Sequence, residues 1–301
     1  MKMMKKIVMP LAAGVLLTAG AQAQELRFGR EGQAYTIGSA DDGGAGAAFR
    51  YEWYRNGALI QCTNPGQATC TVPAELCNGN NVEFTRKVVA DESCMGPTEG
   101  AATILVSFKC GNGWGTRIAN LCWADRNVGA AGAFTATAHE YSPFYQWNKN
   151  RAWSAEGSVT GWNSIPNQAA TWTVDPHPCP NGWRLPDWNE FQALHNTGYT
   201  WATAGARGNT VAGMFYGPNH NNAASCSFSN NTMSDCIFLP ASGFRDISNG
   251  TRYSQTTNGY YWAHGQYYTD RGFVLNIASS SSSVGPNDKA YGFSVRCVQD
   301  Q

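Results

Sequence analysis

The chain has 301 residues, and its 21 Lys and Arg balance its 21 Asp and Glu, so the formal net charge at pH 7 is zero. Only 14% of the residues are charged, and this argues against a protein that binds nucleic acid or an anionic membrane through a basic surface. Gly, Asn, Ser, Thr and aromatic residues are abundant instead, a composition that suits short strands joined by ordered loops.

Residues 1–23 are predicted to be a signal peptide. Lysines at the start are followed by an apolar run over residues 7–17 and by small residues, Ala21 and Ala23, that suit a cleavage site. The apolar run is shorter than a membrane span requires, so we expect no membrane insertion. We therefore expect an exported protein, extracellular or on the cell surface, with the periplasm left open.

The even number of cysteines predicts disulfides in such a protein, rather than metal or redox chemistry. No two cysteines have the Cys-x-x-Cys spacing of zinc sites or thioredoxin-like motifs. Sequence alone leaves many pairings open. Proximity along the chain favours four short bridges and a fifth long one: Cys62–Cys70, Cys77–Cys94, Cys110–Cys122, Cys226–Cys236 and Cys179–Cys297.

Residues 24–109 are predicted to form an all-β domain. Short strands recur with turn signals between them, and the clearest signal is Asn56-Gly57, a dipeptide favoured in type I′ hairpins. Such regular short strands are typical of a β-sandwich. The sequence around Trp53 resembles Ig-like or PKD-like modules of bacterial surface proteins, and we expect Trp53 in the sandwich core.

The composition changes near Lys109, and residues 110–301 are predicted to form a second domain. Asp187 and Glu190 have the spacing of an Asp-x-x-Glu capping box at the start of a helix, and Gly198 offers a stop. Apolar residues follow the cap at helical spacing; they are Trp188, Phe191 and Leu194. Near the end of the chain, apolar residues alternate with other residues over 291–297, which predicts a strand.

Five stretches of this second domain resemble the motifs of the Fibrobacter succinogenes major paralogous domain family, in the order of that family. They are residues 120–129, 183–191, 238–245, 259–262 and 292–297. The resemblance implies a C-type lectin-like fold and a place on surface or secreted bacterial proteins, but no common activity. The expected fold class is therefore α+β: an Ig-like β-sandwich (24–109) followed by a C-type lectin-like domain (110–301), stapled by disulfides.

Most of the tryptophans lie in the second domain, and they fall into two groups. The resemblance places Trp123, Trp183 and Trp262 in framework motifs, so we expect them in the core. The other group lies in a less regular stretch and contains the candidates for exposure on a binding surface: Trp147, Trp153, Trp162 and Trp172.

No constellation typical of catalysis is recognisable. The five histidines are scattered without metal-ligand spacing, and no two carboxylates are selected by spacing as an acid–base pair. We therefore expect no enzyme, no metal site and no cofactor. Calcium, which some C-type lectins use, is unsupported because their Glu-Pro-Asn and Trp-Asn-Asp phrases do not occur.

The segment over residues 252–289 predicts a ligand-binding face. It is rich in Tyr, Ser, Asn and Gly, the residue types that recognition loops favour, around an apolar strand at residues 272–277. We expect the segments on either side of that strand to be loops. The candidate ligand-binding residues are Tyr253, Tyr260, Tyr261, His264, Tyr267, Tyr268, Arg271 and Asn287.

Three functions remain in view. The preferred hypothesis is an adhesin-like, non-catalytic recognition protein that binds a glycan or a surface protein through the late loops. An alternative is a structural component of a surface appendage, whose exposed aromatic residues face assembly partners. The third hypothesis is a secreted carbohydrate-active enzyme.

Overall fold

The computed structural model of the chain describes residues 26–37, 49–63, 69–79, 82–90, 101–174, 177–229, 233 and 235–300. The predicted signal peptide and Cys94 lie outside these residues, and so does the predicted Cys77–Cys94 bridge. Cys77 itself is described, and it lies buried in the same apolar cluster as Cys62 and Cys70.

The described part of the chain folds almost entirely into short strands. Its single α-helix is α1 (Trp188–Asn196), and two 3-10 turns span Ala74–Leu76 and Gly111–Gly113. The strands are β1 (Leu26–Arg30), β2 (Tyr35–Ile37), β3 (Phe49–Arg55), β4 (Ala58–Ile60), β5 (Cys70–Val72), β6 (Val82–Ala90), β7 (Ala101–Lys109), β8 (Gly115–Ile118), β9 (Leu121–Asn127), β10 (Tyr145–Gln146), β11 (Trp183–Arg184), β12 (Tyr199–Ala202), β13 (Gly213–Tyr216), β14 (Ile237–Pro240), β15 (Phe244–Arg245), β16 (Arg252–Tyr253), β17 (Asn258–Tyr268), β18 (Arg271–Ala278), β19 (Ser281–Asp288), β20 (Gly292–Phe293) and β21 (Arg296–Gln299).

The predicted α+β class with a C-type lectin-like second domain is wrong. The described chain is nearly all β, with several small sheets of two to five strands and one helix of nine residues. The physical reason is that helical periodicity is confined to the stretch that begins at Trp188. The rest of the second half is rich in Gly, aromatic and β-branched residues, which favour strands and turns.

The N-terminal strands form a five-stranded sheet in the order β1-β7-β6-β3-β4, and β2 pairs with β5 beside it. β1 runs parallel to β7, whereas the other neighbours are antiparallel. Asn56 and Gly57 join β3 to β4 with φ values of 47° and 80°, so the predicted hairpin is confirmed. Trp53 is 3% exposed in the core of this region. The Ig-like or PKD-like assignment and the domain boundaries stay predictions.

The strands after residue 110 form four small sheets. Their strand orders are β10-β20-β15-β16, β11-β21-β9-β8, β12-β13-β14 and β17-β18-β19. The last of these is an antiparallel meander of long strands, in which β18 pairs with both β17 and β19. It occupies the segment predicted to carry loops around one core strand, so the loop prediction is wrong on both sides of β18.

Both faces of this three-stranded sheet are covered. Successive side chains of a strand point to opposite faces, and each face packs against its own apolar cluster. On one face, Tyr261 and Leu275 join an apolar cluster with Phe191 of α1. On the other face, Trp262 and Val274 join a second cluster. The core of the second half therefore lies on either side of β17-β18-β19.

Helix α1 begins as the sequence predicts. The Asp187 carboxylate accepts the Glu190 N–H at 2.8 Å, and the Glu190 carboxylate accepts the Asp187 N–H at 2.8 Å. This reciprocal pair is a capping box, which satisfies two backbone donors that the first turn leaves without helical partners. The helix ends before Gly198, whose φ is +94°.

Four of the five expected disulfides are formed in the structure. They are Cys62–Cys70, Cys110–Cys122, Cys179–Cys297 and Cys226–Cys236. The Cys179–Cys297 bridge spans 118 residues and ties the segment before α1 to the last strand.

Buried cations hold the irregular segments of the second half together. Arg296 is fully buried, and its guanidinium donates to Asn127 Oδ1, the Ala124 carbonyl and the Phe238 carbonyl at 2.6–2.7 Å. Burial lowers the pKa of Arg296 to about 10. Arg245, also fully buried, donates to the carbonyls of Ser154 and Gly250. The two guanidinium groups thus link strands and loops that are distant in sequence by satisfying buried carbonyls.

Candidate ligand-binding surface

Exposed aromatic side chains come together at one end of the three-stranded sheet. Trp188 is 38% exposed, Tyr267 46% and Tyr268 59%. The ring centroids of Tyr267 and Tyr268 are 4.4 Å apart, those of Tyr267 and Phe273 5.4 Å, and those of Trp188 and Phe273 5.9 Å. We call Trp188, Tyr267, Tyr268 and Phe273 the aromatic platform. It presents a run of rings to solvent.

The platform is assembled from two elements. Trp188 is the first residue of α1, directly after its cap Asp187. Tyr267 and Tyr268 end β17, and Phe273 lies on β18 just after the hairpin turn, where Tyr268 pairs with Arg271. Phe273 packs against the apolar cluster that contains Phe191, so the platform is an outward continuation of the core rather than an isolated surface patch.

A buried lysine fixes the hairpin that carries the two tyrosines. Lys289 is 1% exposed, and its Nζ donates to the Thr269 carbonyl, the Ala169 carbonyl and Gln266 Oε1, each at 2.8 Å. The Lys289 N–H also donates to the Asp270 carbonyl at 2.9 Å. Burial lowers the pKa of this lysine, and Asp270 opposes that shift. Because the turn is held from beneath, its aromatic side chains are displayed on a preorganised support.

A second set of contacts fixes Trp188 relative to β17. The His264 N–H donates to the Pro186 carbonyl at 2.8 Å, which ties the strand to the segment before the helix. Arg184 forms a bidentate pair with the Glu190 carboxylate at 2.8 and 2.6 Å. Burial lowers the pKa of His264, and the Arg184 guanidinium lowers it further. His264 is partly buried, and its backbone N–H rather than its imidazole makes the contact with Pro186.

Polar residues lie beside the rings. Arg271 is exposed and lies opposite Asp288 in the β18–β19 pairing, two residues from Phe273 and so on the same face of the sheet. Asn287 lies opposite Gly272, so its side chain is on the other face. Pro286 is exposed opposite Phe273 in the same register. The guanidinium of Arg271 and the carboxylate of Asp288, at the edge of the rings, provide hydrogen bonds that orient a ligand on such a surface.

The predicted residues do not all reach this surface. Tyr267 and Tyr268 belong to the platform and Arg271 lies beside it, whereas the Asn287 side chain is on the opposite face of the sheet. Tyr261 is a correction: it is fully buried, and its hydroxyl donates to the Pro240 carbonyl at 2.6 Å. Tyr261 lies in the core because both faces of β17 are covered at this point of the strand. It is therefore not part of the candidate site.

Tyr253 and Tyr260 lie in a different aromatic group. We call Phe244, Tyr253, Tyr260, Tyr291 and Phe293 the closed cluster. Tyr260 stacks on Phe293 at 5.0 Å and 18°, and Tyr291 stacks on the same ring at 5.4 Å and 14°. Tyr253 is 51% exposed at its edge. The structure thus divides the predicted tyrosines between two clusters and the core.

The four tryptophans named as candidates for exposure do not form the binding surface. Trp147, Trp153 and Trp172 are buried, with Trp147 fully so, and Trp162 is only partly exposed. Trp188 was assigned by its helical spacing to the apolar face of α1, yet it is exposed at the helix start. The only local signal for this exposure is its position next to the cap, because a first-turn side chain can extend beyond the sheet that the helix covers.

Among the residues that the structure describes, no group of three or more His, Cys, Asp or Glu side chains is arranged to hold a metal ion. Nor does any helix in the described ranges have the length and apolar character needed to cross a bilayer. The four disulfides fit an exported protein, because such bridges persist in oxidising compartments.

Comparison with known proteins identifies the second half of the chain. The family described as Fibrobacter succinogenes major domain matches residues 116–299, more than half of the chain. The chain belongs to this family, and the resemblance seen in the sequence motifs is confirmed. The matched range contains both α1 and the three-stranded sheet that carries the platform. No curated protein matches the chain at a significant level.

Two solved structures are similar over most of the chain. One is a quinonprotein alcohol dehydrogenase-like protein from Bacteroides thetaiotaomicron VPI-5482, with 12% identity, a TM-score of 0.21 and coverage of 88% of this chain and 47% of that one. The other is SGBP-B of the Bacteroides ovatus mixed-linkage glucan utilization locus, solved with a mixed-linkage heptasaccharide, with 8% identity, a TM-score of 0.23 and coverage of 92% and 66%. The chain spans less than two thirds of either structure.

Proposed function

We propose that this protein is an exported, non-catalytic recognition protein that binds a carbohydrate on the aromatic platform. The observation that carries the proposal is the run of exposed rings formed by Trp188, Tyr267 and Tyr268, with Phe273 beneath them. Aromatic rings offer large, rigid contact area at low cost in conformational entropy. Their faces suit the apolar faces of sugar rings.

The support beneath the platform favours binding over a merely tolerated apolar patch. The Lys289 hydrogen bonds and the capping box hold both parts of the platform in place before any ligand arrives. A preorganised surface loses less entropy on binding. Arg271 adds a donor at the edge, where the hydroxyl groups of a sugar would lie. An extracellular or cell-surface location is part of the same proposal.

The test is binding of the purified protein to a glycan array and to a panel of bacterial and host surface proteins, with and without calcium. The variant Tyr267→Ala/Tyr268→Ala should lose the glycan signal, and so should Trp188→Ala. Tyr253→Ala is the matched control, because it removes an equally exposed tyrosine from the closed cluster. Urea denaturation of each variant establishes that it remains folded.

Other results would overturn the proposal in different ways. Binding that survives loss of all three platform rings would place the ligand elsewhere. A hit confined to surface proteins would replace the carbohydrate by a protein ligand. Silence on both panels, together with concentration-dependent oligomers that the platform variants abolish, would favour an assembly component. Turnover of a bound glycan would make the protein an enzyme.

A further inference from the structure

A second concave surface lies far from the platform in sequence, where the N-terminal sheet meets the family domain. A cleft of about 420 Å³ is lined by Lys109, Asp125, Arg126, His139 and Phe228, among others. A cleft of about 300 Å³ adjoins it, shares Lys109 and Gly113 in its wall, and adds Arg30 and Tyr35. We call the two clefts the junction groove. Its size is that of small-molecule and oligosaccharide sites.

The centre of the groove is rigid and electrically neutral. Lys109 Nζ lies 3.2 Å from Asp125 Oδ2 and donates to Thr116 Oγ1 at 2.6 Å and to the Met233 carbonyl at 2.7 Å. The Thr116 hydroxyl donates to Asp125 Oδ1 at 2.6 Å. The side chains of Lys109 and Asp125 are 12% and 25% exposed. The one carboxylate of the groove is therefore already neutralised by its lysine.

The charges that remain are positive. Arg30 lies opposite Lys109 in the β1–β7 pairing. Its side chain packs against Gly113, because a Cβ atom added to that glycine would lie 3.1 Å from Arg30 Nε. Arg126 donates to the Ala136 carbonyl at 2.6 Å. Within the described residues, neither guanidinium forms an ion pair.

Arg30, Lys109 and Arg126 against Asp125 give +3 − 1 = +2 for the lining of the groove. The Glu140 carboxylate accepts the N–H of the lining residue Thr137 at 3.1 Å, and counting it leaves +1. The nearby Glu31 does not change this balance, because its carboxylate pairs with Arg117 at 2.7 Å. A concave surface with excess charge of one sign concentrates ligands of the opposite sign.

An exposed indole stands next to these cations. Trp114 follows Gly113 in the chain and is 46% exposed. The Arg126 guanidinium lies over its ring at 4.9 Å, and Phe134 supports the ring at 6.1 Å. A partly exposed ring in contact with a guanidinium is suited to a ligand that has both rings and anionic groups.

We propose that the junction groove is a second binding site, which takes an anionic carbohydrate chain of the uronic acid type. Carboxylates of the chain pair with Arg30 and Arg126, since guanidinium groups bind carboxylates through two parallel hydrogen bonds. A sugar ring of the chain packs on Trp114. This site is independent of the platform and of whatever neutral ligand the platform binds.

The test is calorimetric titration of the full protein with an oligogalacturonate, with a neutral malto-oligosaccharide of the same length as the control ligand. Oligogalacturonate should bind, and its affinity should fall as NaCl rises from about 20 mM to about 200 mM, because salt screens exposed charges. Arg30→Gln/Arg126→Gln should weaken binding about tenfold or more. Arg151→Gln, which removes an exposed arginine outside both the platform and the groove, should leave the affinity unchanged.

Arg30→Gln alone guards against a folding artefact, since no hydrogen bond holds the Arg30 guanidinium among the described residues, whereas Arg126 also supports backbone carbonyls. It should weaken binding without shifting the urea midpoint. Absence of oligogalacturonate binding would overturn the proposal. So would equal binding of the neutral oligosaccharide or of an acidic peptide, or a loss of binding in Tyr267→Ala/Tyr268→Ala instead of the groove variants.

Discussion

The platform and the closed cluster are built from similar residues, but they differ in how their rings meet. In the closed cluster, Phe293 is sandwiched between Tyr260 and Tyr291 at interplanar angles of 18° and 14°. In the platform, Tyr267 meets Tyr268 and Phe273 at 68° and 74°. A stacked pair covers one face of both rings, whereas a T-shaped pair covers a face of only one. The platform therefore keeps ring faces available to a ligand.

Both groups draw tyrosines from the same strand, so the difference comes from what covers that strand. Tyr260 lies where β17 has packed clusters on either side. Tyr267 lies at the hairpin end, where the sheet extends beyond those clusters and the residues are exposed. Aromatic residues stabilise the fold in the first position and are free for recognition in the second.

The largest expected effect is a loss of stability when the closed cluster is disrupted. Phe293 is 1% exposed, and Phe293→Ala should lower the free energy of unfolding by about 3–5 kcal/mol, since it leaves a cavity between two stacked tyrosines. Urea denaturation measures this loss. Phe273→Ala is the matched variant on the platform side and should cost less, because Phe273 is only partly buried. Equal costs would erase the proposed distinction between the clusters.

Removing the platform tyrosines should weaken ligand binding strongly and change stability little. Tyr267→Ala/Tyr268→Ala should weaken binding of a glycan identified on the array about 30-fold, or roughly 2 kcal/mol, the scale of aromatic anchors. The free energy of unfolding should change by less than about 1 kcal/mol, as is usual for exposed positions. Calorimetry and urea denaturation give the two values. Tyr253→Ala should leave the affinity unchanged, and a comparable loss there would move the site to the closed cluster.

The helix cap links stability to recognition at Trp188. Asp187→Ala removes an acceptor of the capping box and should cost about 1 kcal/mol of stability. It should also weaken glycan binding, though less than loss of the tyrosines, because the support of Trp188 is loosened while the ring is retained. Asp187→Asn keeps a capping acceptor and should behave nearly as the native protein does. If Asp187→Asn lost as much affinity as Asp187→Ala, charge rather than position would be responsible.

The smallest expected effect is a change of stability with pH, which arises from His264 and His177. The folded pKa of His264 is lowered by burial and by Arg184, and that of His177 by burial and by His264. An unfolded histidine titrates near about 6.5, so below that pH the unfolded chain binds more protons. Stability is therefore full above this range and falls as the pH drops through it.

Thermal unfolding at about pH 7.5 and pH 5 measures this change, and the midpoint should be lower at pH 5. His264→Gln should reduce the difference, because it removes one of the groups whose protonation the folded state disfavours. An unfolding midpoint that rises on acidification would show that the sign of the shift is wrong.

Much of the candidate site was within reach of sequence reasoning, although its geometry was not. The abundance of Tyr and Asn over residues 252–289 directed attention to the segment that contains Tyr267 and Tyr268, whose role in binding stays a prediction. The same composition could not separate Tyr261, which is fully buried, from its exposed neighbours. The alternation of one strand tells which residues share a face, but not whether that face is covered by other parts of the chain.

The sequence by itself determined the features that depend on near neighbours: the Asn56-Gly57 hairpin, the capping box of Asp187 and Glu190, and the motifs that define the family. It favoured the four bridges formed among the described cysteines but left other pairings open. These follow from local dihedral preference, hydrogen-bond reach and spacing along the chain. Tertiary structure decided the nearly all-β class, the exposure of Trp188 and the burial of Tyr261. It also brought Arg30 and Arg126 to one groove, because burial and proximity depend on segments distant in sequence.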